Sequence, residues 1–512
     1  MDLFLRISAL IVFLLLFSIS KRLFQKRKNF PPSPLFLPIL GHLHLLKKPL
    51  HRSLTTISNR YGPIVLLRFG SRPVLLISSR SLAEDCFTKN DLIFANRPRL
   101  LTGKHFGYNY SALGWTSYGP HWRNLRRIAN VEILSTSRIQ MFSAVRIQEV
   151  KSLMKDMFQD SELGKPVMEL RSRFSETIFN MIMGMIAGKL YSRENEAILE
   201  EARRFWKILG EVADLTGIGT FGDYPSLGWM DFGGVEKRMV KLLRQSDEFF
   251  QFLIDERRRM KTKFDSSSSV DVEVELENKK TFLDVLLSLQ EKEPDYYTDL
   301  MIRGMISTLL SAGTDSSALT MEWAMSLLLN HPDVLEKAKA ELDMHVGTRL
   351  LDESDLSKLP YLHCIINETL RLHPPGPLVL PHESSEESIV GGFEVPSGTM
   401  LLVNVWAIHR DPKLWVDPTD FKPERFQGPE GLKEGLKMIT FGSGRRGCPG
   451  AGLALRMVSL SLGTLIHCFE WERVGEEKID MTEAPGLPMP KLHPLKALYK
   501  PRHTMFNVLS QL

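Results

Sequence analysis

The 512-residue chain is 43% hydrophobic and carries 65 basic against 60 acidic residues, a net charge of +5. Lys21, Arg22, Lys26, Arg27 and Lys28 account for that whole excess in one short run, so no nucleic-acid partner is implied. Its four cysteines, Cys86, Cys364, Cys448 and Cys468, are far apart and show no disulfide framework, which places the folded part in a reducing compartment.

Leu3 to Ser20 is apolar except for Arg6 and three serines. As a helix it spans about 27 Å, close to a hydrocarbon core of about 30 Å. The basic run that follows keeps the rest of the chain on the cytosolic side. A cleaved signal peptide is the rival reading, but no small-x-small cleavage site follows. Residues 1–28 therefore read as a single-pass signal anchor, and 29–50, with Pro31, Pro32, Pro34 and Pro38, as a stiff extended hinge. The remaining 51–512 read as one catalytic domain. It opens with a hairpin, Ile64–Phe69 and Pro73–Ile77 across Gly70-Ser71. Ser81 is the expected N-cap of a short helix through Cys86.

Leu100 to Tyr118 reads as a loop carrying Phe106, Tyr108, Tyr110 and Trp115. Beyond it, Trp122 and Arg126 are four apart on one helical face, where an indole N–H and a guanidinium can reach one anionic group. A solvated basic helix would show the same spacing. Val167–Met185, Asn195–Leu215 and Val235–Lys261 have helical period. Gly217 to Gly234 and the serine-rich Lys261 to Lys280 read as loops.

Asp299 to Leu329 is a long helix whose pattern is interrupted by Ala312-Gly313-Thr314-Asp315-Ser316-Ser317. The acid of Asp315 beside the alcohol of Ser316 is suited to recruiting protons from solvent and holding a water. A simple helix kink is the plainer reading. Glu368 and Arg371 are three apart on one helix face, and Arg425, from Pro423-Glu424-Arg425-Phe426, can share the carboxylate. A surface ion pair would produce the Glu-x-x-Arg spacing equally well. Pro374–Pro377 ends that helix, and Pro377–His382, with Leu380, reads as a stiff apolar strand. Gly486–Pro490, with Leu487, is a comparable late turn.

The last element is Phe441-Gly442-Ser443-Gly444-Arg445-Arg446-Gly447-Cys448-Pro449-Gly450, directly before an apolar helical stretch, Ala451 to Cys468. Glycines at this density let backbone pass close to a ligand. A helix N-terminus beside the sulfur favours a thiolate and a lowered pKa. No second Cys or His stands at zinc-ligand spacing nearby. Phe441, Gly444, Arg446, Cys448 and Gly450 complete Phe-x-x-Gly-x-Arg-x-Cys-x-Gly. This resembles the haem-thiolate loop of the cytochrome P-450 monooxygenases. Glu368-Thr369-Leu370-Arg371, Pro423–Phe426 and the Gly313–Ser317 run resemble that family's further motifs, from the anchor almost to Pro501. Tyr118–Trp122, Leu380–Ser385 and Trp406–Pro412 look like its plant microsomal family 81.

The resemblance implies a mainly α fold with small β-sheets and haem b as cofactor. Cys448 would be the axial iron ligand and Phe441 would pack near the sulfur. Arg446, Trp122 and Arg126 would meet the propionates. Asp315 and Ser316 would form a proton relay, with serine where threonine is usual. Glu368, Arg371 and Arg425 would form a structural lock. Phe106, Ala312, Leu380 and Leu487 would line the substrate pocket. His382 stands where many plant relatives have an arginine on a propionate. The implied setting is the endoplasmic reticulum membrane, with NADPH electrons arriving through an NADPH–cytochrome P-450 reductase. The implied substrate is an apolar flavonoid, isoflavonoid, lignan or triterpenoid. Two other classes share a haem-thiolate core: an isomerase or dehydratase of hydroperoxides, and a non-catalytic haem- or steroid-binding membrane protein. The acid–alcohol pair argues against the first.

Overall fold

The computed structural model describes residues 29–191, 196–216, 234–265 and 280–512. The expected anchor, the loop over 217–233 and the serine-rich stretch over 266–279 lie outside the described residues. Helices dominate, and the helix Asp299–Asn330 runs through their centre. From Ala318 to Leu329 it is buried on every side; the stretch is mostly apolar, and its buried Glu322 is paired with Arg171 at 2.9 Å. It packs along Leu170–Ala187 and against Val235–Asp265, Pro360–Leu372 and Ala451–Cys468.

The central helix is continuous through Ala312–Ser317, so the interruption expected from its sequence is absent. The small residues serve helix packing instead: a Cβ on Gly313 would lie 2.7 Å from Ile182 Cδ1 of the Leu170–Ala187 helix. The hydroxyls fold back onto their own helix. Ser311, Ser316 and Thr320 donate to the carbonyls four residues earlier at 2.6, 2.6 and 2.8 Å, which leaves the backbone ladder undisturbed.

Among the described residues three small sheets flank the helices. Ile64–Phe69 and Arg72–Ile77 form the expected hairpin, from Ile64 opposite Ile77 to Phe69 opposite Arg72. Met400–Val403 joins it in parallel and His382–Glu383 completes the sheet. Val167–Glu169, Lys496–Pro501 and Phe469–Arg473 form a second sheet, and Ser388–Val390 with Phe393–Val395 a third. Thus Val167 starts a strand, and the helix expected from that residue starts at Leu170.

The short helix Arg80–Phe87 is capped by Ser79, whose Oγ accepts from the Leu82 N–H, and not by Ser81. Pro377–Pro381 forms no ladder, since prolines lack the donor; only the Val379 N–H reaches the sheet, at Val403. The Leu100–Tyr118 stretch folds into a short helix, Leu101–His105, and three left-handed residues, Tyr108, Asn109 and Tyr110. Ala451–Cys468 is apolar enough to cross a membrane, yet Leu460, Leu462, Leu465 and Ile466 are wholly buried in the protein core.

Glu368 and Arg371, both 0% exposed, form a bidentate pair on the Pro360–Leu372 helix with N···O distances of 2.7 and 2.8 Å. Two further donors reach Glu368 Oε1: Arg425 Nε at 3.0 Å and the Lys422 N–H at 2.9 Å. The remaining Arg371 amine donates to the His409 and Pro418 carbonyls, both at 2.7 Å. Desolvating such a pair costs several kcal/mol per ion and is tolerated only with this degree of satisfaction. Three distant segments are thereby tied to one helix.

Candidate active site

Cys448 sits in a loop folded by glycine. Gly442 and Gly444 have φ of +69° and +67°. At Gly444 a Cβ would also lie 2.4 Å from Asp91 Oδ1 and 2.7 Å from the Phe87 carbonyl, so no other residue fits. The Cys448 N–H donates to the half-buried Phe441 carbonyl at 2.8 Å, which closes the loop. Cys86, Cys364 and Cys468 are buried, while Cys448 alone is accessible. Protein still surrounds its sulfur on most sides. That burial raises the thiol pKa, and the Gly450 N–H, the Arg126 guanidinium and the Ala451 N–H offset only part of the rise. In the protein chain by itself, the lowered pKa expected from the helix N-terminus is outweighed by desolvation.

Beside the sulfur lies a positive cluster in which Arg97 is buried and Arg126 and Arg446 are half-buried. Arg126 Nη2 donates to the Gly447 carbonyl at 2.6 Å. Arg446 reaches the Ala95 and Thr116 carbonyls, both at 2.7 Å, and its Nη1 is buried with no partner. Arg97 donates to the carbonyls of Gly114, Leu380 and Pro381 at 3.1, 2.8 and 2.7 Å. Trp122 is buried, with the Arg446 guanidinium 4.5 Å from its ring centroid. Burial, then Arg446, pushes Arg97 down to about 9; burial, then Arg126, pushes Arg446 down to about 10. Burial and Arg97 hold His382 neutral, and its Nδ1 is 2.7 Å from the Phe94 carbonyl.

Among the described residues no carboxylate forms an ion pair with Arg97, Arg126 or Arg446. Three guanidiniums next to one another, one with an orphaned donor, require an anion from outside the chain. The two propionates of haem beside a cysteine thiolate fit this donor set. Arg97 was not legible in the sequence, because nothing in its spacing connects it with the cysteine loop 350 residues on.

On the central helix Ala312 is exposed and Ser316 half-buried, its hydroxyl donating at 2.6 Å to the Ala312 carbonyl. Asp315 has a pKa pushed up to about 6, by burial first and the Asp214 carboxylate second, with Arg171 opposing. No hydrogen bond joins Asp315 to Ser316 among the described residues. Thr314 and Ser317, which the sequence reading left without a role, are buried with unpartnered hydroxyls. Two sets of contacts hold the segments that bear the other pocket candidates. Arg97 ties the Leu380 carbonyl to the segment that carries half-buried Phe106. Trp323 Nε1 donates to Met489 in the turn that carries half-buried Leu487, at 3.1 Å.

His409 links the buried ion pair to the cysteine loop. It is 0% exposed; its Nδ1 is 3.2 Å from the Arg371 carbonyl and its Nε2 accepts from the Ile439 N–H at 3.1 Å. This pairing fixes the neutral Nδ1–H tautomer. Ile439 in turn accepts from the Gly442 N–H at 2.9 Å.

The family model for cytochrome P450 matches residues 31–497. Cytochrome P450 81Q32 of Catharanthus roseus is 51% identical over 502 residues, 97% of each chain. The isoflavone 3'-hydroxylase of Medicago truncatula is 49% identical, again over 97% of each chain. Among solved structures, a zebra fish cytochrome P450 with progesterone superposes with a TM-score of 0.74 at 24% identity. It covers 89% of this chain and is itself covered fully. That last likeness concerns the fold.

The histidine bridge has a measurable consequence. His409→Leu leaves the buried Ile439 N–H unpaired, a loss of about 1–3 kcal/mol. His409→Gln can offer a carbonyl to Ile439 and an N–H to Arg371 and should recover most of it. Burial, then Arg371, holds His409 down at about 3, against an ordinary value of 6.5. Its contribution is therefore full above pH 6.5 and is lost as pH falls towards about 3. Denaturant midpoints should show wild type losing stability relative to the non-titrating His409→Gln as pH falls across that window. A constant gap would show that the imidazole does not titrate with folding.

Proposed function

The chain belongs to the cytochrome P450 family, and from that premise we propose that it inserts one oxygen atom from O₂ into an apolar, aromatic plant metabolite. The class favoured is the flavonoids, isoflavonoids and lignans, with triterpenoids included. Electrons come from NADPH through a separate reductase, since no nucleotide-binding Gly-x-Gly-x-x-Gly follows a strand. The chain sits on the cytosolic face of the endoplasmic reticulum through residues 1–28. One observation carries the haem reading: the single accessible cysteine lies beside one buried arginine, Arg97, and two half-buried ones, Arg126 and Arg446, which form no ion pair among the described residues. A relative 49% identical is named for the 3'-hydroxylation of an isoflavone, which supports the substrate class.

When bound, haem supplies O₂ binding and reductive activation, and a cysteine thiolate favours O–O cleavage, as is general for this enzyme class. The chain's residues do the rest. Cys448 supplies the thiolate, and the N–H groups of Gly450 and Ala451 with Arg126 hold its negative charge. Arg97, Arg126 and Arg446 bind the propionates and Trp122 packs under the Arg446 guanidinium. Phe441 closes the loop over the sulfur through its carbonyl. Asp315, with a pKa of about 6, exchanges protons readily near neutrality. Ser316 spends its own proton on the Ala312 carbonyl, which leaves its oxygen lone pairs to accept from a water. Serine lacks the methyl that stiffens χ1 in threonine, so this bond to Ala312 is what holds the rotamer.

Turnover of isoflavone and lignan candidates by the full-length protein in membranes, with and without reductase and NADPH, tests this reading. Product that needs both supports it, whereas conversion of a hydroperoxide with neither would place the chain among isomerases. Within that assay Ser316→Ala should lower product per NADPH and raise peroxide. Ser316→Thr should hold or raise the yield unless its methyl obstructs substrate. Removing a positioned proton-transfer group costs about 10²–10⁴-fold when water cannot substitute. Water can reach this position, so the expected effect is a coupling defect. Equal coupling in wild type and Ser316→Ala would show that this hydroxyl does not gate oxygen activation.

A further inference from the structure

A cleft of about 510 Å³ lies between the second sheet and the helices Ser143–Glu162, Leu170–Ala187 and Glu196–Leu215. Small-molecule sites have about this size, roughly 300–1,000 Å³. None of its lining residues belongs to the cysteine loop, the arginine cluster or the acid–alcohol pair. Part of the lining is apolar. Val167, 46% exposed, stands there with buried Met168 and the ring of Tyr499. The Tyr499 hydroxyl donates to the Met157 carbonyl at 3.2 Å and is thereby engaged.

The polar lining divides into acids that are engaged and donors that are not. Asp160 and Glu176 both pair with Arg173, at 3.2 and 3.6 Å. Glu169 caps its helix. Its carboxylate accepts from the Arg171 and Ser172 N–H groups at 2.7 and 3.4 Å and from the Ser172 hydroxyl at 2.7 Å. Lys165, by contrast, forms no ion pair among the described residues, and Arg203 only a 3.9 Å contact with half-exposed Glu200. Half-buried Trp206 sets its ring edge-on to Phe179 at 5.7 Å, and its Nε1–H is buried without an acceptor. A native fold rarely leaves a buried donor unpaired, so this N–H calls for an acceptor from outside the chain. The open groups, an ammonium, a guanidinium and an indole N–H, are all donors and two are cationic. A molecule that matches them carries an acceptor-rich anion on an apolar, planar body. An inorganic anion lacks the body, and a hydrocarbon lacks the acceptor.

We propose that this cleft is a second small-molecule site, separate from the haem pocket, that takes an aromatic carboxylate. The carboxylate meets Lys165, Arg203 and the Trp206 N–H, and the ring lies against Val167, Met168 and Tyr499. The probe is 2-naphthoate, with the neutral naphthalene-2-carboxamide as its comparator. Full-length holoprotein is labelled with 5-fluorotryptophan at its eight tryptophans, and Trp206→Phe identifies the Trp206 fluorine resonance. That resonance should move saturably as 2-naphthoate is added. Lys165→Gln with Arg203→Gln should weaken the apparent affinity about fivefold or more, as two partly exposed ionic contacts allow. Both side chains reach solvent, so the double variant keeps its fold, which an unchanged Tm checks. The carboxamide should bind about fivefold more weakly than the carboxylate. A Trp206 resonance unmoved by 2-naphthoate up to about 5 mM would overturn the site. Equal affinity in the double variant would place the probe elsewhere and overturn it too. Equal affinity for carboxamide and carboxylate would overturn the anionic class of the ligand.

Discussion

The Glu368 carboxylate, with no exposed surface, is the constraint on which the active site's geometry depends. Its four donors come from the Pro360–Leu372 helix and from Lys422 and Arg425, and Arg371 carries the connection on to His409, Pro418 and Asp420. A buried carboxylate loses several kcal/mol if any strong partner leaves, so the arrangement tolerates little drift. From His409 the rigidity passes through Ile439 into Gly442 and the cysteine loop. The central helix meets the same Pro360–Leu372 helix, so the two sides of the site share one frame.

The electrostatics of the site depart from the usual rule that charges withdrawn from water are paired: Arg97 is buried and Arg126 and Arg446 are half-buried. Arg97, Arg126 and Arg446 are satisfied only by carbonyls, and one Arg446 donor is unsatisfied. Carbonyl dipoles orient the guanidiniums but do not neutralise them. The same cluster holds the His382 imidazole neutral and stabilises negative charge on the neighbouring sulfur through Arg126. On the proposed reading, cofactor anion and thiolate draw on one positive group.

Much of this was legible because the chemistry lies in short runs. Cys448 with its glycines, Glu368 with Arg371, and Trp122 with Arg126 are each within one turn or one loop. The hairpin and the long helices followed from period. The failures have physical causes. Small hydroxyl residues in the central helix looked like an interruption, yet their hydroxyls bond back to the preceding turn. Val167 scored as helical by apolar period, but pairing with Leu498 makes it strand. Arg97 and His409 act through partners hundreds or tens of residues distant, which no local spacing encodes. The cysteine's pKa turned on desolvation by the whole fold, a quantity that a ten-residue motif does not contain.

The central claim is that Cys448, and no other cysteine, ligates haem iron within this frame. The most direct measurement is the absorbance difference spectrum of the reduced, carbon monoxide-bound full-length protein. The account predicts the signature of thiolate-ligated haem in wild type and in Cys468→Ala, whose side chain is buried in the core, and its loss in Cys448→Ala. An unchanged spectrum in Cys448→Ala would contradict the account.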